Sequence, residues 1–331
     1  MKKIVVYGTG DYYRNYKHNC PKDVEIVAYG NSNVQNSTSH SGNLYEGKPV
    51  LAPEEIKGME YDYILIATDW SQAFDIYQIL LECGIEGNKI RFLYRMNMTK
   101  EEWTYEVCED GSIVSRIGKI KIKERDKSNW GVVEEVFVSN SYNINLPIQD
   151  TVVIDVGMNI GCVSLYFAEK DWVSRVYGFE PFEDTYNHAL DNFALNTSDI
   201  SDKIVPYNLG LTDKEEIREI HVNAEESGWR NIFCEDEGKR KVEISCKEAG
   251  IEINRILDEN IGKRIILKVD TEGSEFSIFE SLKNYGSLER VDAVLMEYHH
   301  NPKELEEILT NEGFKFFVNG RSNFGMIYAV K

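Results

Sequence analysis

The sequence predicts an α/β protein of two units, each a mostly parallel sheet with helices on its faces. Three observations carry that prediction. Short apolar strands alternate with helical segments along most of the chain. Two of those strands break into glycine turns that open helices, at Gly8-Thr9-Gly10 and at Gly157–Gly161. The chain has 331 residues, more than the roughly 250–300 over which one hydrophobic core keeps growing.

Ile4–Tyr7 reads as a strand, and Asp11–Asn19 as the helix behind the first glycine turn. Glu25–Tyr29 is a second strand. Asn31–Gly47, rich in Ser, Asn and Gly, reads as a loop. A short strand, Pro49–Leu51, precedes a helix at Pro53–Lys57. Tyr61–Ala67 is a buried strand, Ser71–Cys83 a helix and Ile90–Leu93 one more strand. The pattern then weakens. Glu101–Glu109 is read as a helix, Ile113–Ile122 as strand pieces with a candidate hairpin, and Val132–Val138 as a strand. Thr151–Val156 is a continuous apolar strand ended by glycine, followed by a helix from Asn159 or Gly161 to about Glu169.

Further strands fall at Arg175–Phe179, Ile204–Asn208, Ile265–Val269 and Ala293–Tyr298. Helices fall at Phe182–Leu195, Ile253–Glu259, Glu275–Ser281 and Pro302–Asn311. Ile217–Val222 and Val242–Ser245 read as extended. Phe314–Val318 and Met326–Val330 close the chain as an antiparallel pair. The domains are expected at 1–95 and 131–331, with a connector over 96–130.

The formal charge is −19, from 56 acidic and 37 basic residues. Such a field opposes binding to a polyanion, and no basic stripe interleaved with aromatics counters it, so no nucleic-acid partner is expected. The densest basic stretch, Lys119–Lys127, alternates like an exposed strand. The six cysteines form no CxxC pair and read as reduced thiols. The N-terminal apolar stretch is too short for a signal peptide, and no run reaches membrane-spanning length. A cytoplasmic protein is expected.

The sharpest motif is Val152-Val-Ile-Asp155-Val-Gly157-Met-Asn159-Ile-Gly161. Its Gly-x-x-x-Gly spacing departs from the Gly-x-Gly-x-x-Gly that grips a pyrophosphate. Glycine there serves either a ligand's close approach or a turn closed to other residues. A nucleoside-like ligand fits, and Asp155 could pair with the cationic amino end of adenosylmethionine. The next strand ends in Glu180-Pro181, where an acid can accept hydrogen bonds from ribose hydroxyls. Leu267-Lys-Val-Asp270-Thr-Glu272-Gly273-Ser-Glu275 crowds acids onto one strand-to-helix turn, a pattern that marks functional sites. Asp270 is the candidate proton acceptor there, and Glu275 reads as a first-turn residue facing the helix dipole. Met296-Glu297-Tyr298-His299-His300 adds Glu297 or His299 as a general base. The two histidines form no zinc site, because neighbouring strand residues face opposite ways.

These segments, together with Gly131-Val-Val-Glu134-Glu135-Val-Phe137 and Tyr177-Gly-Phe-Glu180-Pro181, occur in one order over residues 131–331. They resemble the FkbM family of S-adenosylmethionine-dependent methyltransferases. The resemblance implies a class I methyltransferase Rossmann-like sheet of order 3-2-1-4-5-7-6, S-adenosyl-L-methionine as cofactor, and O-methylation of sugars or polyketide-like products. By position it assigns Asp155, Gly157, Asn159 and Gly161 to the cofactor loop and Glu180 to the ribose. Asp270 and Glu272 match the family's acidic turn. With His299 they are the candidate catalytic residues. The Ser/Thr- and Gly-rich loop usual in the family is replaced by Asn223–Asn231, whose Trp229 and Arg230 are candidates, with Glu297, for holding the acceptor. No metal is required by the chemistry, though Asp270 and Glu272 could hold one.

The N-terminal text Val6-Tyr-Gly8-Thr-Gly10, Gly47-Lys-Pro49-Val50 and Tyr63-Ile-Leu-Ile66-Ala67-Thr68 resembles the small Rossmann-like domain that precedes some sugar acetyltransferases. Tyr13 stands where a dinucleotide fingerprint has its third glycine, and Asn31 where an acid often ends the second strand. Scaffolding, homodimerisation or capture of a nucleotide sugar are the roles open to it. The expected activity is methylation of a sugar, nucleotide-sugar or glycan hydroxyl, as in polysaccharide biosynthesis. The alternatives are an NAD-dependent sugar oxidoreductase or epimerase and a noncatalytic nucleotide-binding scaffold.

Overall fold

The computed structural model describes residues 1–32, 44–97, 103–108, 110–144, 150–222 and 240–331. Residues 1–118 with 123–139 make one compact unit, and residues 119–122 with 140–331 make the other.

The first unit is built on β1 (Lys2–Tyr7), β2 (Val24–Gly30), β3 (Leu44–Tyr45), β4 (Lys48–Leu51), β5 (Tyr63–Ile66) and β6 (Ile90–Phe92). They lie in the order β3-β4-β2-β1-β5-β6. Only β3, inside the expected loop, runs antiparallel to its neighbour. Strand residues alternate between two cores. Val5, Tyr7, Ile64 and Ile66 pack with Tyr77 and Leu80 of the helix Trp70–Glu82, while Ile4, Val6 and Leu65 pack with Tyr13. Both faces are buried, which is why these strands read as unbroken apolar runs.

Two further elements differ in type from the sequence expectation. Trp103–Val107, expected as a helix, is β7, paired antiparallel with β8 (Ile113–Ile117). Trp103, Tyr105 and Val107 are half-buried while Thr104 and Glu106 are exposed, a period of two that fits a strand. β9 (Ile120–Glu124) completes this small sheet. Val132–Val138, expected as a strand, lies almost wholly in the helix Lys127–Phe137. The Asp126 side chain accepts from the Asn129 N–H at 2.9 Å, and Asn129, Trp130, Val133, Val136 and Phe137 are buried at helical spacing. Cap and periodicity outweigh the β-branched content of the segment.

The second unit holds β10 (Thr151–Val156), β11 (Val173–Phe179), β12 (Ile204–Tyr207), β13 (Gly210–Thr212), β14 (Glu216–Val222), β15 (Arg240–Glu248), β16 (Arg264–Val269), β17 (Ala293–Tyr298), β18 (Lys315–Arg321) and β19 (Phe324–Val330). Seven of them form a sheet in the order β12-β11-β10-β16-β17-β19-β18. From β12 to β17 neighbours are parallel, and β19 runs antiparallel to both β17 and β18. β13, β15 and β14 make a separate small sheet, and β13 has no counterpart in the sequence reading. Every residue of β10 is buried. It is the switch point, with β11 on one side and β16 on the other, and ligands of open α/β sheets bind outside the strand ends at such a place.

Candidate active site

β10 runs into a loop of left-handed residues: Gly157 at φ +78°, Asn159 at +50° and Gly161 at +84°. A Cβ on Gly157 would lie 1.7 Å from the Asp270 carbonyl oxygen, and one on Gly161 would lie 2.4 Å from a Phe193 ring carbon. Of the two uses open to these glycines, the structure shows the closed turn. They let the loop pack against the acidic turn and against the helix Glu183–Ala194. Gly161 caps the helix Cys162–Ala168 without a side-chain bond. The Asn159 side chain accepts from the Ile160 N–H at 2.7 Å.

The Asn159 backbone N–H donates to Glu180 Oε2 at 3.1 Å, and the Phe182 N–H donates to Glu180 Oε1 at 3.0 Å. Glu180 is buried beside the glycine loop. A carboxylate held at this strand end by backbone donors is the candidate to accept hydrogen bonds from ribose hydroxyls. Glu180→Ala should weaken binding of S-adenosylhomocysteine about 10- to 100-fold, the worth of losing charge-assisted bonds. Titration calorimetry reads this directly.

Asp155 lies beneath the glycine loop with partners inside the protein. Its side chain is fully buried, Oδ2 accepts from the Ser164 hydroxyl at 2.6 Å, and Oδ1 lies 3.1 Å from Lys268 Nζ. The cation that Asp155 faces within the protein is Lys268. A carboxylate closed in this way sets the loop from below. Sequence reasoning missed Lys268. Its signal is a lysine inside the apolar run of β16, Ile265-Ile266-Leu267-Lys268-Val269.

The acidic turn is organised by Glu275, which the sequence reading left as a first-turn helix residue. Glu275 is fully buried, and its Oε1 accepts from the Thr271 N–H at 3.2 Å, the Thr271 hydroxyl at 3.0 Å and the Gly273 N–H at 3.0 Å. His299 Nδ1 sits 3.1 Å from the same oxygen. On the far side of the ring, Nε2 lies 3.2 Å from Glu272 and 4.0 Å from Glu297. Asp270 Oδ2 accepts from the Tyr142 hydroxyl at 3.2 Å. Phe324 meets the imidazole edge to face at 5.7 Å between ring centres.

Burial alone would push the His299 imidazole down. The bond to Glu275 and the charges of Glu272, Glu275 and Asp270 overcome this and raise it to about 9. That shift favours the protonated, hydrogen-bond-donating imidazole at neutral pH. Burial pushes Glu275 up, but His299 and the Gly273 N–H bring it below the usual range. The linkage has a definite sign. A raised imidazole stabilises the fold fully below its unfolded value and loses that contribution as pH rises through about 9. The stability of the wild type, read as its melting temperature, should fall from about pH 6.5 to about pH 9, the loss being bounded at roughly 3 kcal/mol. His299→Gln should lack that step, and equal profiles by calorimetry would refute the assignment.

Asp270, Glu272, Glu297 and His299 thus come together at the ends of β16 and β17, next to the glycine loop. Asp270, Glu297 and His299 each bring a potential ligand atom within 4.8 Å of the other two. Trp229 and Arg230 lie outside the described residues.

The model of the methyltransferase FkbM domain matches residues 155–316. The protein carries an FkbM-family methyltransferase domain. A small N-terminal domain precedes it, matched over residues 1–91 by the model named C2185-like, N-terminal. The chain is 26% identical over 274 residues to AMB antimetabolite synthetase AmbE of Pseudomonas aeruginosa, covering 71% of this chain and 12% of that much longer protein. It is 22% identical over 200 residues to Methyltransferase 1 of Beauveria bassiana, covering 55% of this chain and 79% of the relative. It is 25% identical over 169 residues to hexuronic acid methyltransferase AglP of Haloferax volcanii, covering 49% of this chain and 62% of the relative. A crystal structure of methyltransferase FkbM from Methylobacillus flagellatus aligns over 99% of this chain and 90% of its own at 14% identity, with a TM-score of 0.37.

The FkbM domain is a Rossmann-like α/β methyltransferase unit that uses S-adenosylmethionine. Its residues suit that cofactor. Asp155, Asp270, Glu272, Glu275 and Glu297 outnumber the cations Lys268 and His299 around the strand ends, a field that favours a sulfonium. The oxidoreductase and scaffold readings give way to this assignment.

Proposed function

We propose that the FkbM domain methylates a hydroxyl of a sugar, nucleotide sugar or glycan. The observation that carries this reading is the meeting of Asp270, Glu297 and His299 beside the glycine loop. A carboxylate pair and a hydrogen-bond donor at this position suit an acceptor hydroxyl. Adenosylmethionine supplies an electrophilic methyl group on its sulfonium. Glu180 holds the ribose, and the loop Gly157–Gly161 carries the nucleoside. Asp270, oriented by Tyr142, takes the hydroxyl proton, while His299 and Glu297 orient the acceptor oxygen. Holding the reactants in line can itself supply about 7–11 kcal/mol. The hexuronic acid named for one relative agrees with a carbohydrate acceptor. Trp229 and Arg230 are kept as acceptor-binding candidates on sequence grounds.

The N-terminal domain is assigned a scaffolding or dimerising role. Tyr13 is buried, its hydroxyl lies 3.1 Å from that of Tyr29, and Tyr29 donates to Glu46 at 2.8 Å. Tyrosines occupy the sheet end where a dinucleotide fold needs glycine space. Among the described residues no helix is long and apolar enough to cross a membrane.

The acceptor is found by incubating the protein with methyl-labelled adenosylmethionine and panels of nucleotide sugars and glycans, with mass spectrometry of the products. A methyl ether on a carbohydrate oxygen is the expected product. Label on nitrogen or carbon, or on no carbohydrate at all, refutes the reading.

A further inference from the structure

Lys268 lies in the buried strand β16 with its side chain 2% exposed. Burying an ammonium costs several kcal/mol unless partners surround it, so what surrounds it is informative. Nζ donates to the Gly157 carbonyl at 2.6 Å, approaches Asp155 Oδ1 at 3.1 Å and Asp270 Oδ2 at 3.7 Å, and stands 5.7 Å from the centre of the Tyr142 ring. Among the described residues Asp155 Oδ1 has no hydrogen-bond partner, so the ammonium meets it as an ion pair.

The partners come from separate segments: the end of β10, the glycine loop and the acidic turn. Tyr142, which flanks the ammonium, also donates to Asp270. Two features tie the same segments together from the backbone side. The Asp270 N–H donates to the Val156 carbonyl at 3.0 Å, and the Asp270 carbonyl fills the space that a Cβ on Gly157 would take. One side chain therefore joins the loop that carries the cofactor to the carboxylate that faces the acceptor.

We propose that Lys268 is the positioning residue of methyl transfer, fixing the glycine loop and Asp270 in one relation through a single buried ammonium. Asp155 is its counter-ion, which explains a fully buried carboxylate beneath the loop. The inference rests on the cofactor of the FkbM domain and not on the identity of the acceptor, so its test needs no acceptor.

The test measures S-adenosylhomocysteine affinity by titration calorimetry and melting temperature by scanning calorimetry on the full chain. Lys268→Met should weaken affinity about tenfold or more and lower the melting temperature. The double variant D155N/K268M removes both charges. It should regain melting temperature but not affinity, because the tether to Gly157 is still missing. Recovery of both would show that Lys268 only neutralises Asp155 and would overturn the proposal. Lys268→Arg keeps the charge but has no compact ammonium for the carbonyl, and should bind at least about threefold more weakly. It decides the matter if the other two do not fold, and wild-type affinity in Lys268→Arg or Lys268→Met overturns the proposal. A wild type that ignores the probe would instead sink the cofactor assignment itself.

Discussion

Gly157→Ala should cost the protein its cofactor site. The left-handed backbone of Gly157, φ +78°, carries a penalty of about 1–2 kcal/mol for any residue with a Cβ. The larger penalty is contact. The new Cβ would stand 1.7 Å from the Asp270 carbonyl oxygen, a backbone atom that cannot rotate away. Either the glycine loop or the acidic turn must move, at about 1–3 kcal/mol for overpacking of this kind. S-adenosylhomocysteine affinity should fall at least about a hundredfold, and the melting temperature by roughly 5–15 °C. Gly262→Ala separates the two terms. Gly262 has φ +83° but nothing within 4 Å of its Cβ, so it carries the backbone penalty alone. Its affinity should match wild type with only a small fall in melting temperature. Equal behaviour of the two variants would mean that contact with Asp270 does not hold the loop.

The legibility of this fold in its sequence follows from which interactions are local. The strands β1, β5, β10, β16 and β17 are buried on both faces and read directly as apolar runs. The segments that misled are those in which propensity and environment disagree. Val132, Val133 and Val136 suggest a strand, but Asp126 caps a helix there and Trp130 anchors it in the core. β13, at three residues, is too short for a periodic signal and exists only by pairing with β15.

The site divides in the same way. Gly157, Glu180 and Asp270 stand out in the sequence as candidates because each directly follows the end of a strand. The partners of Asp155 and Glu275 do not. Both lie in acidic clusters whose chemistry depends on a cation brought from elsewhere: Lys268 from a neighbouring strand, and His299 from 24 residues along the chain. Spacing tells where a carboxylate lies, but only the packed structure tells which charge it meets. His299 shows the consequence. As an isolated side chain it reads as a base, and among three carboxylates its proton is held more tightly.

In the proposed mechanism Asp270 takes the acceptor's proton, so Asp270→Asn should slow methyl transfer about 10²- to 10⁴-fold, the range of general acid–base catalysis. The substitution keeps the shape of the side chain and leaves an oxygen for the Tyr142 hydroxyl, which now donates to Asp270 Oδ2. Lys268 keeps Asp155 and the Gly157 carbonyl as partners, so the glycine loop should stay in place. S-adenosylhomocysteine affinity should therefore change less than about threefold. His299 also reports on the variant, because the Asp270 charge helps to hold its proton, and its titration followed by NMR should move to lower pH. Single-turnover transfer to the acceptor found in the labelled screen gives the rate without product release. Glu297→Gln is the necessary companion, since Glu297 lies at the neighbouring strand end and its carboxylate reaches the same space. A rate lost in Glu297→Gln but kept in Asp270→Asn would move the proton acceptor one strand over, from β16 to β17. A rate kept in both would leave the acceptor hydroxyl to lose its proton directly to water, and would reduce the acidic turn to a binding surface for the cationic cofactor.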